Sequence, residues 1–149
     1  MRKLGVFIVT LMLLWGGVSF REAAAQLPDL VVDFKGLATA YPGEDITGRI
    51  EITVKNTGGT DARGFYVDII LKEPAGTEHI CSRERIESMP PKKSVRLLFD
   101  TKHPVLIPGD IQPGKYQLCV FADPTDAVKE SREKNNRVCH SVTIKNKAP

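Results

Sequence analysis

The stretch that decides the fold runs from Tyr116 to Ile144: Tyr116-Gln-Leu-Cys-Val-Phe-Ala-Asp123, then residues 124–136, then Arg137-Val-Cys-His-Ser-Val-Thr-Ile144. In its first and last parts, apolar residues recur at every second position, which is typical of half-buried strands. The apolar phase consists of Tyr116, Leu118, Val120, Ala122, Val138, Val142 and Ile144. The stretch therefore predicts a strand, an acidic turn segment and a returning strand.

The same alternation appears five more times upstream, and turn residues separate the segments. The predicted strands lie at 30–34 (A), 50–54 (B), 65–71 (C), 77–86 (C′) and 95–99 (E), followed by 116–122 (F) and 137–144 (G). Short strands at regular spacing with glycine and proline turns favour a sandwich. We predict an all-β, immunoglobulin-like antiparallel β-sandwich of about seven strands. One sheet has the order A-B-E and the other C′-C-F-G.

Several motifs resemble one family. They are Ala122-Asp123-Pro124 with Val128, Glu130, Glu133 and Asn135-Asn136, preceded by the segments 28–32, 41–43, 52–58 and 113–116. Their order and spacing resemble the CARDB family, the cell-adhesion-related domain of bacteria. The resemblance implies an immunoglobulin-like sandwich that serves as an extracytoplasmic binding or assembly module, with no known chemistry. Members usually occur as repeats inside large surface proteins.

The N-terminus has the pattern of a secretory signal. Arg2 and Lys3 precede an uncharged, mostly apolar run over residues 4–20, and Ala23-Ala24-Ala25 supplies small residues for cleavage. We predict a signal peptide at 1–25 and a single CARDB-like domain at 26–149, secreted or periplasmic, with no membrane span after cleavage. The alternative is an uncleaved membrane anchor, because the apolar run borders on spanning length.

The charge of the mature chain argues against nucleic acid as a partner. The segment 1–25 carries three basic residues and one acidic residue, so the remaining 124 residues hold 18 basic and 17 acidic ones. A near-neutral domain lacks the positive surface that binds a phosphate backbone.

Cys119 and Cys139 are out of phase with the apolar residues of strands F and G. In the antiparallel register that sets them opposite each other, every core-phase residue also meets another, so we predict a disulfide between them. The alternative is two reduced, partly buried thiols. Cys81 is left over, and an odd cysteine in a secreted chain is either buried and inert or a site of intermolecular pairing.

No pattern of catalytic residues was found in the sequence. Gly-x-Ser-x-Gly, His-Glu-x-x-His and phosphate-loop motifs are absent from it. His79, Cys81 and His103 are candidates for a metal site or a thiol–imidazole pair, but no recognisable ligand spacing accompanies them. His140 has core phase on strand G and is interpreted as a satisfied, neutral histidine in the core or at a sheet edge. We predict no enzyme activity, no cofactor and no metal.

Two aromatic residues define a candidate binding face. Tyr66 and Phe121 have the outward phase on strands C and F, where they are predicted to form a small exposed patch beside Ile70. Aromatic platforms of this kind bind sugars, and cross-strand packing is the structural alternative.

The acidic segment 123–136 allows two interpretations. The first is a structural cap in which Val128 plugs the open end of the sandwich, while Asn135 and Asn136 satisfy backbone groups. In this interpretation the carboxylates of Asp123, Asp126, Glu130 and Glu133 are spaced three, four and three residues apart, which suits one face of a short helical turn around 125–131. The second is calcium binding, which the intervening cations and the missing glycine disfavour.

These observations together predict a non-catalytic, secreted or periplasmic module of the bacterial cell envelope that binds or assembles with a protein partner. The alternative is a small-ligand or carbohydrate binder that uses the Tyr66 and Phe121 face.

Overall fold

The computed structural model describes residues 27–146, and the predicted signal peptide lies outside these residues. The strands are β1 (Leu30–Lys35), β2 (Thr39–Ala40), β3 (Glu51–Asn56), β4 (Ala62–Lys72), β5 (Glu78–Met89), β6 (Ser94–Arg96), β7 (Gly114–Ala122) and β8 (Arg137–Ile144). A single 3₁₀ turn at Thr47–Arg49 is the helical element among the described residues. The all-β prediction is confirmed.

The strands form two sheets, in the predicted order. The smaller sheet is β1-β3-β6, which corresponds to A-B-E, and the larger is β2-β8-β7-β4-β5, which contains C′-C-F-G in reverse. The addition is β2, a two-residue strand that pairs in parallel with β8 and extends the larger sheet beyond strand G. In the described part of the chain, no helix is long and apolar enough to cross a membrane.

The register of β7 against β8 is the predicted one. Cys119 lies opposite Cys139, and Val120 lies opposite Val138. The apolar phase of β7 is therefore turned towards β1 and β3, and Leu118, Val120 and Ala122 are fully buried. Burial of such side chains contributes about 1.5–3 kcal/mol each for the larger aliphatic ones.

Two features of immunoglobulin domains appear here in modified form. Leu118 and Ile52 are both fully buried in one core cluster, at the positions where immunoglobulins place their inter-sheet disulfide. Tyr116 forms a tyrosine corner, since its hydroxyl donates to the carbonyl oxygen of Gln112 at 2.8 Å.

Two local expectations were wrong. The segment 125–131 contains turns and bends rather than a helical turn. Strand E ends at Arg96 instead of residue 99, although Leu97 and Phe99 still pack against the core from the connection that follows. His140, interpreted as a core or edge histidine, is exposed, and its Nε2 donates to the carbonyl oxygen of Phe34 at 2.8 Å.

Candidate functional site

The outer face of the larger sheet carries the predicted binding residues. The pairings of β5, β4, β7 and β8 align their outward side chains in rows. One row consists of Arg83, Asp68, Phe121 and Arg137. The next row consists of Ile80, Ile70, Cys119 and Cys139. Tyr66 lies opposite Arg85, on the far side of the first row. The face is therefore built from outward residues of four adjacent strands.

A buried carboxylate organises one half of this face. Asp68 is only 2% exposed although it points away from the core, because Arg83 covers it with bonds of 2.6 and 2.7 Å to its two carboxylate oxygens. The same guanidinium lies over the ring of Tyr66, with 5.3 Å between its central carbon and the ring centroid. The bonds and charge of Asp68 raise the pKa of Arg83, which stays cationic. This half of the face is thus a closed cluster of three side chains.

A second arginine spans the other half. Arg137 on β8 donates to a carboxylate oxygen of Glu78 on β5 at 2.7 Å, although β7 and β4 lie between these strands. The central carbon of the same guanidinium lies 5.5 Å from the ring centroid of Phe121. The row next to Arg137 and Phe121 contains Ile70 and Cys119, and both of these residues are buried.

The predicted exposed patch is therefore wrong in one member. Ile70 has the outward phase but is 4% exposed, whereas Tyr66 and Phe121 are half-buried. Each ring has a guanidinium over it, which leaves no open aromatic platform of the kind that stacks on a sugar. The arrangement disfavours carbohydrate binding on this face. Sequence reasoning missed Asp68, Arg83, Glu78 and Arg137, because their pairing depends on contacts far apart in the chain.

A disulfide joins the two cysteines on this face. Cys119 and Cys139 are bonded across β7 and β8, and 20 residues separate them in the chain. A cross-strand disulfide on the outer face is consistent with an oxidising compartment.

The edge of the sandwich formed by β5, β6 and the connection after β6 carries exposed apolar residues. We call this edge the β5–β6 flank and define it by Ile80, Val95, Leu98 and Leu106, which are all the exposed large hydrophobic residues of the described chain. Leu98 is 83% exposed and Ile80 is 54% exposed. The backbone nitrogen of Leu106 donates to the carbonyl oxygen of Cys81 at 3.4 Å, which places the connection against β5.

The flank also exposes strand edges. The strands β5 and β6 terminate their sheets, and β5 is 12 residues long. Charged side chains at Arg83, Glu84 and Arg85, together with a register shift beside Ile70, protect most of β5 from indiscriminate pairing. No sequence signal distinguished these exposed residues, because Val95 and Ile80 read as ordinary members of alternating strands.

The candidate thiol site is not assembled for chemistry. Burial raises the pKa of Cys81 to about 11, so the nucleophilic thiolate is disfavoured at neutral pH. The ring of His79 is hydrogen-bonded to Glu73 at 2.6 Å, and His103 lies near Asp100 on the connection after β6. Within residues 27–146, no three His, Cys, Asp or Glu side chains are grouped to hold a metal ion.

The segment 123–136, called the cap below, is folded around backbone hydrogen bonds. Asp123 adopts a positive φ of 55°, and its carboxylate accepts bonds from the backbone nitrogens of Ala127 at 3.0 Å and Val128 at 2.7 Å. This local turn directs the Val128 side chain into the hydrophobic core, where it is buried.

The second half of the cap is held by Glu130. Its carboxylate accepts bonds from the backbone nitrogen of Leu30 at 2.5 Å and from the amide of Asn136 at 3.1 Å. The carboxylate of Glu133 in turn accepts a bond from the backbone nitrogen of Glu130 at 2.7 Å. The structure thus brings Glu130, Glu133 and Asn136 together, with each group bonded to a different part of the loop.

The remaining cap residue reaches the opposite sheet. The amide nitrogen of Asn135 donates to Asp29 at 2.8 Å, just before β1, while its Oδ1 is buried and has no protein partner. The cap therefore fastens the chain entering β1 to the chain entering β8. Its geometry, with acidic oxygens occupied by backbone and amide donors, is that of a structural closure.

Comparison with protein families shows the family of this chain. The CARDB family model matches residues 27–140, which is most of the described chain. The chain belongs to the CARDB family. The suspected resemblance is confirmed, and no curated protein matched the chain.

Solved CARDB structures share the fold. The crystal structure of the CARDB domain of the PF1109 protein from Pyrococcus furiosus, in complex with di-metal ions, is 26% identical with a TM-score of 0.57; the match covers 80% of this chain and 90% of that chain. A domain of a putative cell surface protein from Methanosarcina acetivorans is 22% identical with a TM-score of 0.55, covering 79% of this chain and 92% of that one. The second likeness supports the fold alone.

Proposed function

We propose that this CARDB chain is a secreted or periplasmic protein of the cell envelope that binds a protein partner without catalysing a reaction. The observation that carries the proposal is the β5–β6 flank. Of the four exposed large apolar side chains of the described residues, three lie on β6 or the connection that follows it, and the fourth, Ile80, lies on β5, the edge strand of the larger sheet. Clustered exposed apolar residues beside a polar rim are typical of protein-interaction surfaces.

The chemistry of the rest of the domain supports this proposal. The outer sheet face is closed by arginine–carboxylate pairs, and the free thiol is in its unreactive protonated form. The disulfide between Cys119 and Cys139 and the family both favour a compartment outside the cytoplasm. The di-metal complex of the Pyrococcus relative is not extended to this chain, because no group of three or more His, Cys, Asp or Glu side chains in its described residues is placed to hold a metal ion.

The flank is tested by replacing its most exposed residue. Leu98→Asp adds a charge to the proposed surface and, because the side chain is exposed, should leave the unfolding midpoint unchanged. We expect the variant to capture at least tenfold less of the proteins that the wild type cross-links in the native envelope fraction.

The matched control is Gln117→Asp, which adds the same charge at an exposed position of β7 on the outer sheet face. This variant should capture the same proteins as the wild type. If Leu98→Asp retains the wild-type pattern while Gln117→Asp loses it, the interaction lies on the sheet face and not on the flank.

Export gives a separate prediction. The protein purified from its native host should begin at Gln26, because signal peptidase cleaves after the small residues that end at Ala25. N-terminal sequencing of the protein in the periplasm or medium checks this. Recovery of the full-length chain in the membrane fraction would support the uncleaved anchor instead.

A further inference from the structure

One buried carboxylate joins the two chain segments that the cap holds together. Glu130 is 5% exposed, yet one of its oxygens bonds the first backbone nitrogen of β1, at Leu30, and the other bonds Asn136 just before β8. The adjacent backbone nitrogen of Ser131 donates to the carbonyl oxygen of Pro28 at 2.9 Å. The residues that enter β1 are therefore attached to the cap at consecutive positions.

The charges that surround this carboxylate are of its own sign. Asp123 and Glu133 on the cap raise its energy when it is ionised, and Asp29 lies before β1 at the same end of the sandwich. The last residue of β3, Asn56, and the residue after it, Thr57, are neutral groups that bind Asp29. The ammonium of Lys92 donates to the carbonyl oxygen of Thr57 and is not paired with Glu130.

The cations near Glu130 in the chain do not compensate its charge. Lys129 and Arg132 are exposed, and Arg137 at the start of β8 is bonded to Glu78 on the outer sheet face. Among residues 27–146, no basic side chain lies within ion-pair distance of Glu130. An ionised carboxylate at this place is favoured by two donors and opposed by burial and by its acidic neighbours.

We propose that Glu130 is a proton-operated clasp, which holds residues 27–30 against the cap when it is protonated and loosens that attachment when it ionises. The clasp is a property of the fold and does not depend on the proposed partner. Mild acid tightens this end of the sandwich, and a slightly alkaline medium loosens it.

The titration range follows from the balance of these effects. Burial is the largest of these effects and raises the pKa of Glu130, whereas the hydrogen bonds from Leu30 and Asn136 lower it. The net result is a rise from 4.5 to about 7. Once the clasp has opened, Glu130 is solvated and its pKa returns to the ordinary value. Between pH 4.5 and 7 the closed state therefore binds a proton that the open state has released.

The difference between the pKa values of Glu130 in the closed and open states determines how the stability of the closed state depends on pH. The stabilisation of the closed state is fully present below about pH 4.5 and is lost as the pH rises through about 7. The shift corresponds to a change of roughly two orders of magnitude in the equilibrium between closed and open states across this range.

Nuclear magnetic resonance on the purified protein tests the clasp directly. The carboxyl carbon of Glu130 should titrate with a midpoint near pH 7, and the protection factor of the Leu30 amide should fall at least tenfold between pH 5.5 and 8.5. In Glu130→Gln the Leu30 protection factor should not change with pH. The matched control, Glu87→Gln, removes an exposed carboxylate from β5 and should behave as the wild type does.

Two results would overturn the proposal. One is a Glu130 midpoint below pH 5 in the wild-type protein, a measurement that stands even if Glu130→Gln does not fold. The other is a Leu30 protection factor that depends on pH equally in the wild type and in Glu130→Gln.

Discussion

Val128→Asp should lower the free energy of unfolding by about 2–4 kcal/mol, the range for replacing a buried apolar anchor with an unpaired carboxylate. Val128 is the cap residue that reaches the core cluster, and its backbone nitrogen is already bonded to Asp123. The new carboxylate would lie between Asp123 and Glu130 in sequence, both of them buried acidic residues. Urea-induced unfolding, followed by tyrosine fluorescence or circular dichroism, measures the loss.

The neighbouring position supplies the control for this prediction. Ala127→Asp places the same group on the same loop at an exposed site, so its unfolding free energy should stay within about 0.5 kcal/mol of the wild type. Equal losses in the two variants would mean that the cap is sensitive to added negative charge and that the Val128 anchor is not what stabilises it.

Calcium distinguishes the two interpretations of the acidic segment. Because the carboxylates of Asp123, Glu130 and Glu133 already accept bonds from protein donors, we expect millimolar calcium and chelators to leave the melting temperature unchanged. A rise of several degrees on adding calcium, abolished by Glu130→Gln, would favour a metal site over a structural cap.

The sheets could be predicted from the sequence because the alternation of apolar residues and the cross-strand register specify the same strand pairing. In β7 and β8 the apolar phase, the cysteine phase and the antiparallel pairing are all satisfied by one register. The strand β2 was missed because two residues carry no periodic signal. The strand β5 was only weakly indicated, because Cys81 is skipped in its pairing with β4 and the phase of its side chains changes there.

The outer face was harder to predict because its contacts are long-range and polar. Alternation correctly placed Ile70 outwards, but it did not predict that Ile70 is buried there. Nor did it predict the bond between Arg137 and Glu78, which are 59 residues apart. Asp68 has the outward phase on strand C, and the position of Arg83 opposite it explains why a carboxylate is buried there.

Val128 is buried in the core cluster, as the cap interpretation expects, but two other expectations for the cap were wrong. The side-chain amide nitrogens of Asn135 and Asn136 bond the carboxylates of Asp29 and Glu130 rather than backbone groups. The conformation of the cap also differs from the expected one. Carboxylate spacings of three and four residues suggested a helical turn, yet the same spacings serve a loop in which Asp123 takes a left-handed conformation and bonds the nitrogens four and five residues later. Spacing alone does not distinguish a helical turn from this loop, because both conformations bring the same side chains to one side of the chain.

The disulfide and the cap are coupled through the unfolded state. Cys119 and Cys139 flank the whole segment 123–136, so their bond closes a loop that contains every cap residue. A cross-link over a loop of this length lowers the chain entropy of the unfolded ensemble. Less entropy is then lost when the cap folds, so its contacts have less to offset. The cross-link is therefore expected to stabilise the cap without contacting it.

Replacing both bridging cysteines by alanine should lower the free energy of unfolding by about 3 kcal/mol, as the loop-entropy estimate gives for a separation of 20 residues. Cys81→Ala, which removes a thiol but no cross-link, should cost at most about 1 kcal/mol and serves as the control. Non-reducing peptide mapping of the wild type should join Cys119 to Cys139 and leave Cys81 unpaired. Linkage of Cys81 to either partner would contradict the β7–β8 register, and equal stability of oxidised and reduced protein would contradict the entropic argument.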